Sequence, residues 1–161
     1  MEKGFKIELY DSYYELTEKI GVNNISVIDE NHNKYICIYS EVMNPIGIAY
    51  FDYGIPVKTV HTKEYVYIGI GKKVFCFSNE SKEAFTIFDL NSVFYDFILD
   101  NNMIIFLCEL DVYCYWGTNL LWKYEFNELV SSGKLIEDNL VQIICEDNAE
   151  YCIGIKDGKI Q

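Results

Sequence analysis

The six cysteines are the residues of this chain best placed to do chemistry. A thiolate can attack an electrophile, ligate zinc or enter a disulfide, and each role needs a partner at short range. Four of them, Cys37, Cys76, Cys114 and Cys152, are spaced by 39, 38 and 38 residues. The other two, Cys108 and Cys145, stand 37 apart, and no two cysteines form a Cys-x-x-Cys pair. Zinc would need each sulfur at about 2.3 Å. Adjacent strands of a sheet lie about 4.8 Å apart, so four sulfurs on strands set back from a common axis are too distant. The expected role is a small hydrophobe packed in a core, and no metal or other cofactor is expected.

The remaining candidates are weaker. His32 sits in Glu30-Asn31-His32-Asn33-Lys34, a predicted hairpin turn, and His61 in Thr59-Val60-His61-Thr62-Lys63, a predicted outer strand. At 29 residues apart they have no metal-ligand spacing. Gly69-Ile70-Gly71-Lys72-Lys73 lacks the full phosphate-loop pattern and reads as a tight hairpin turn, as does Asp157-Gly158 near the end of the chain. No catalytic residue is expected.

Acids recur at the turns: Asp29 and Glu30, Glu109 and Asp111, Glu146 and Asp147, with Asp100 and Asp138 just before a new strand. Repetition places several of them on one face, as a cation site, an acidic docking surface or ordinary turn chemistry, since Asp suits turns. These eight are the candidate partner-binding residues.

What positions them is a repeat. The cysteine surroundings Ile36-Cys37-Ile38-Tyr39, Phe75-Cys76-Phe77-Ser78, Tyr113-Cys114-Tyr115-Trp116 and Tyr151-Cys152-Ile153-Gly154 are all β-prone. A strand precedes each (Ile25–Ile28, Tyr65–Ile70, Met103–Leu107, Leu140–Ile144), and a third follows three of them (Ile46–Asp52, Ala84–Leu90, Leu120–Phe126). A weaker fourth strand closes the unit. In the second strand Tyr113 and Tyr115 point one way, Cys114 and Trp116 the other. Both faces are apolar, as in a sheet packed on neighbours on both sides.

The predicted units are 25–64, 65–102, 103–139 and 140–161, the last completed by residues 5–22, in a single domain spanning 1–161. The fold expected is all-β, four four-stranded repeats closed into a small ring that leaves few exposed edges. Two segments resist this pattern. Ser12-Tyr13-Tyr14-Glu15 with Gly21, and Asn127 to Gly133, carry helix start and stop signals.

The stretch Val112-Tyr113-Cys114-Tyr115-Trp116-Gly117-Thr118-Asn119-Leu120-Leu121-Trp122-Lys123-Tyr124-Glu125-Phe126 resembles a blade of the quinoprotein-like and WD40-like β-propellers. Gly117 and Trp122 fill the places where those repeats have a glycine and, a few residues on, a tryptophan. The other units lack the tryptophan, and none ends in Trp-Asp. The resemblance implies the fold class and no cofactor; the four-bladed form follows from counting the repeats.

Bulk properties set the expected function. Half the residues are hydrophobic and the formal net charge is −12, which repels nucleic-acid phosphates and suits either solubility or a basic protein partner. The start of the chain has no signal-peptide pattern, and the longest apolar runs are too short for a bilayer, so a cytoplasmic protein without membrane contact is expected. The reading that follows is a non-enzymatic protein-binding module, monomeric or in a hetero-complex, acting as an acidic inhibitor of the immunity type against a basic toxin or nuclease. A ligand- or glycan-binding propeller and a hydrolase sited at the propeller mouth are the alternatives.

Overall fold

The computed structural model describes residues 5–40, 43–80, 85–136 and 139–161. Four sheets follow one another along the chain. The second holds β5 (Lys58–His61), β6 (Tyr65–Ile70), β7 (Lys73–Ser78) and β8 (Phe85–Asp89), antiparallel in chain order. The third repeats this with β9 (Phe94–Asp100), β10 (Met103–Cys108), β11 (Asp111–Trp116) and β12 (Asn119–Glu125). The fourth has β13 (Val130–Ile136), β14 (Leu140–Cys145) and β15 (Glu150–Gly154), and Ile160 bridges back to Ile153. The fourth strand of each predicted unit thus becomes the first strand of the next sheet.

The first sheet departs from the pattern. It contains β1 (Phe5–Tyr10), β2 (Ile25–Val27), β3 (Lys34–Ser40) and β4 (Met43–Tyr50), in the order β1-β3-β4-β2, with β2 parallel to β4. Residues 25–28, expected to pair with the following strand, lie at the far edge, and β1 takes their place beside β3. Of residues 5–22, β1 therefore pairs in the first sheet and the helix Tyr13–Ile20 packs on it, and neither joins the described strands of the fourth. The Ser12 signal is obeyed: α1 (Tyr13–Ile20) starts where the Ser12 hydroxyl accepts from the Glu15 amide at 3.2 Å, and Gly21 ends it at φ +80°. Residues 127–133 form no helix: 127–129 are connector and 130–133 open β13.

Face-to-face packing holds the sheets. On β10, Ile104, Phe106 and Cys108 pack toward the second sheet while Met103, Ile105 and Leu107 pack toward the fourth, so the whole strand is buried. On β11, Tyr113 and Tyr115 face the second sheet and Cys114 the fourth, as the alternation predicts. A third cluster joins Ile36, Ile38, Ile48 and Tyr50 of the first sheet to Val66, Ile68, Phe75 and Phe77 of the second. The outer face of the first sheet is covered by α1, whose Leu16 is fully buried. The three clusters link the sheets in chain order, and none of them joins the fourth sheet to the first.

Parity explains one cysteine. Side chains alternate faces with period two, so an odd displacement reverses them. Cys37 precedes Cys76 by 39 residues while the later intervals are 38. Cys37 accordingly faces away from the second sheet, where Ile36 and Ile38 point, whereas Cys76 and Cys114 face the sheet that follows theirs.

Short connectors carry the chain from each sheet to the next. Residues 90–93 and 126–129 are clamped by the same main-chain bonds. Leu90 N donates to Lys72 O at 2.9 Å and Phe126 N to Leu110 O at 2.8 Å; Phe94 N donates to Gly71 O at 2.8 Å and Val130 N to Glu109 O at 2.7 Å. Phe94 then lies across β6 at Gly69, where an added Cβ would stand 2.0 Å from its ring. Gly69→Ala should cost about 1–3 kcal/mol of overpacking, read as a lowered urea midpoint with unchanged slope. An unshifted midpoint would contradict this close approach.

Candidate functional site

The hairpin turns between the second and third strands and the inter-sheet connectors lie at one end of the sheets, called here the connector end. Glu109 and Glu146 occupy equivalent places there, their amides donating to Val93 O at 2.9 Å and Leu129 O at 2.8 Å. Both are exposed, as are Glu30 and Asp147. Asp29 reaches the same end: its carboxylate accepts from the Phe51 amide at 3.0 Å and the Tyr53 hydroxyl at 3.5 Å. The Tyr53 ring lies against Gly71, in the β6–β7 turn. Burial, the neighbouring Asp29 and the charge of Glu109 all raise the Tyr53 pKa.

Asp111 is brought to this end but is not available to a partner, being 2% exposed. Its carboxylate accepts from the Ser92 hydroxyl at 2.5 Å and faces the Lys123 ammonium at 3.5 Å, while Ser92 Oγ accepts from the Leu110 amide at 3.0 Å. Lys123 also pairs with Glu125, which accepts from Asn91 Nδ2 at 2.9 Å. Asn91 and Ser92 belong to a connector and Asp111, Lys123 and Glu125 to β11 and β12, so this network latches the second sheet to the third. Asp100 lies at the opposite end, as the last residue of β9, accepting from Asn101 Nδ2 at 3.0 Å. Asp138 falls outside the described residues.

The acids have apolar companions that sequence inspection missed. Phe51, Tyr53, Leu110 and Leu129 are 37%, 38%, 39% and 41% exposed at the connector end. Phe51 and Tyr53 sit in the connector 51–57, with ring centroids 5.1 Å apart. Their exposure is set by the connector path, which sequence inspection does not show.

The first junction also differs in how it is filled. Its connector has seven residues, 51–57, against four in each of the others. Phe94 and Val130, the first residues of β9 and β13, are buried, whereas Lys58, which opens β5, is half-exposed and pairs with Asp96 at 2.9 Å. A cleft of about 500 Å³ remains there, lined by Ile7, Leu9, Ile36, Tyr50 and the segment 54–57, with the Lys34–Asp52 pair at 3.7 Å on its rim. Its volume falls in the range of small-ligand sites.

All six cysteines are free, and five are buried. Burial pushes the Cys76 and Cys114 thiols up to about 12, away from thiolate chemistry at neutral pH. His32 stacks on Tyr13 with centroids 5.5 Å apart, holding α1 to the turn before β3. His61 meets the edge of Phe5 at 6.1 Å. It lies on β5, an edge strand of its sheet, and β5 touches β9 of the next sheet. Gly71 takes φ +56° in a hairpin turn, so the Gly-Lys segment holds no phosphate loop. Among the described residues no group of three or more His, Cys, Asp or Glu side chains gathers to hold a metal, and no helix is long and apolar enough to cross a membrane.

Solved structures share this geometry. AztD from Citrobacter koseri superposes with TM-score 0.53 at 8% identity, over 85% of this chain and 45% of its own. BamB from Moraxella catarrhalis gives 0.52 at 10% identity, over 80% and 42%, and a HIRA fragment, residues 644–1017, gives 0.51 at 10% identity, over 100% and 50%. These are β-propellers. The likeness is one of fold, and the chain spans about half the length of each. No protein-family model and no curated protein matches the sequence.

Two outcomes follow. Asp111→Ala should cost about 1–3 kcal/mol by leaving Ser92 and Lys123 without their buried acceptor, measured by thermal or urea unfolding; unchanged stability contradicts the latch. At about pH 8, Ellman's reagent should titrate the half-buried Cys152 rapidly and the five buried thiols only on unfolding. Rapid labelling of Cys114 would contradict its burial.

Proposed function

We propose that this protein is a non-catalytic binding module that docks a basic protein on its connector end. One observation carries the reading: Asp29, Glu30, Glu109, Glu146 and Asp147 share that end with four exposed apolar side chains, Phe51, Tyr53, Leu110 and Leu129. An apolar patch rimmed by charge of one sign suits a partner of opposite sign. The rim steers encounter and the patch supplies the desolvated contact. The net charge of −12 adds long-range attraction to a cationic protein and opposes nucleic-acid binding. In its finer form the reading is an inhibitor of the immunity type, which covers the working surface of a basic toxin or nuclease inside the cytoplasm. Six cysteines with no disulfide among them suit that compartment.

Selection of a random peptide display library on the immobilised protein at low salt tests this. The enriched sequences should be rich in Lys and Arg. Their binding should fall at least about tenfold in a Glu109→Lys/Glu146→Lys variant and survive Glu18→Lys on the exposed face of α1. Enrichment without cationic character, or equal binding by the double variant, would overturn it.

A further inference from the structure

The sheet register leaves one strand position open. By the sequence repeat, β3 and β4 correspond to β7 and β8, and to β11 and β12. The strand beside β3, β1, therefore stands where β6 and β10 stand. In the second and third sheets a further strand, β5 or β9, pairs with the other edge of that position. In the first sheet no described strand does so, since β1 pairs with β3 alone.

The same edge borders the cleft. Ile7 and Leu9 alternate on β1 toward the side that carries Ile36 and Tyr50, and all four line the cavity of about 500 Å³. Leu9 is 75% exposed, the most exposed large hydrophobic side chain among the described residues. Tyr50 lines the same space, and the Lys34–Asp52 pair stands on the rim. A free strand edge beside an unfilled apolar cleft is the arrangement by which sheets take up an extended peptide. Main-chain bonds supply affinity, and alternate side chains drop into the pocket.

We propose that β1 accepts an extended segment of the partner as an added strand, one apolar side chain of which fills the cleft between β1 and residues 54–57. The segment alternates apolar residues, turned to the cleft, with Lys or Arg, turned outward. Its cationic character rests on the function proposed above and on the chain's net charge of −12, the rim itself carrying the Lys34–Asp52 pair. The strand addition rests on the edge and the cleft.

The test titrates four peptides into the full chain at low salt, with hydrogen exchange on residues 5–10 as a second readout. The first is Lys-Val-Lys-Leu-Lys-Val-Lys; the second has Ser for its apolar residues; the third is N-methylated at alternate residues; the fourth has Ser for its lysines. The first should bind and slow exchange across β1. The second and third should bind at least about tenfold more weakly, as expected from losing the buried side chains or the main-chain bonds. Filling the cleft with Ile55→Trp should abolish the difference between the first two, with circular dichroism confirming the fold.

Equal binding of the first three peptides, or protection away from β1, overturns the strand addition. The acidic-face reading then still stands if binding remains salt-sensitive. Equal binding of the first and fourth peptides, with β1 protected, keeps the strand addition and removes the acidic-face reading. Protection of β1 by self-association without peptide would make a second copy the occupant and overturn the proposal.

Discussion

Every other feature depends on sheets packing face to face on both sides. A strand in the middle of such a stack has no solvated face, so each of its side chains must be apolar and of a size its neighbours accept. β10 meets this with Met-Ile-Ile-Phe-Leu-Cys, buried throughout. β14, in the last sheet, alternates buried with half-exposed residues and carries Gln142 on its outer face, bonded to Glu150 at 2.8 Å. The cysteines fit this constraint: a small side chain such as Cys114 lets the facing sheet approach, and burial keeps its thiol protonated.

The constraint also decides where function can reside. With the faces used up, polar chemistry is left to turns, connectors and sheet edges. Some of it is spent on the fold: Asp111, Ser92 and Lys123 latch one sheet to the next. Asp29 does both, tying down the connector at Phe51 while standing beside the exposed Tyr53. The first sheet, built with a displaced strand, a capping helix and a long connector, is where the repeat breaks. There the packing leaves a cleft and an open edge.

The repeat was legible because its period is set by strand and turn lengths, and the cysteines and aromatic residues mark it directly. The alternation on β11 and the helix cap at Ser12 were equally direct, being local in sequence. The strand order of the first sheet was not legible. Ile25–Val27 and Phe5–Tyr10 are both short and β-prone, and which of them pairs with β3 depends on contacts between residues distant in the chain, α1 packing against β3 and β4 among them. The grouping of sheets was missed for a related reason: the weak strands β5, β9 and β13 show no preference in sequence for the unit before or after them. Of the acidic candidates, sequence could locate the turns but not burial, so Asp111 looked the same as Glu109. The cleft had a faint signal, the three extra residues of the connector before β5.

The most direct measurement is an amide chemical-shift map of the full chain as a lysine-rich polypeptide is added at low salt. The account predicts that shifts gather at the connector end, in residues 29–33, 51–57, 109–110, 129 and 146–148, together with β1, and fade as salt is raised. Shifts centred on the opposite turns, near Asp100 and Trp116, or shifts indifferent to salt, would contradict it.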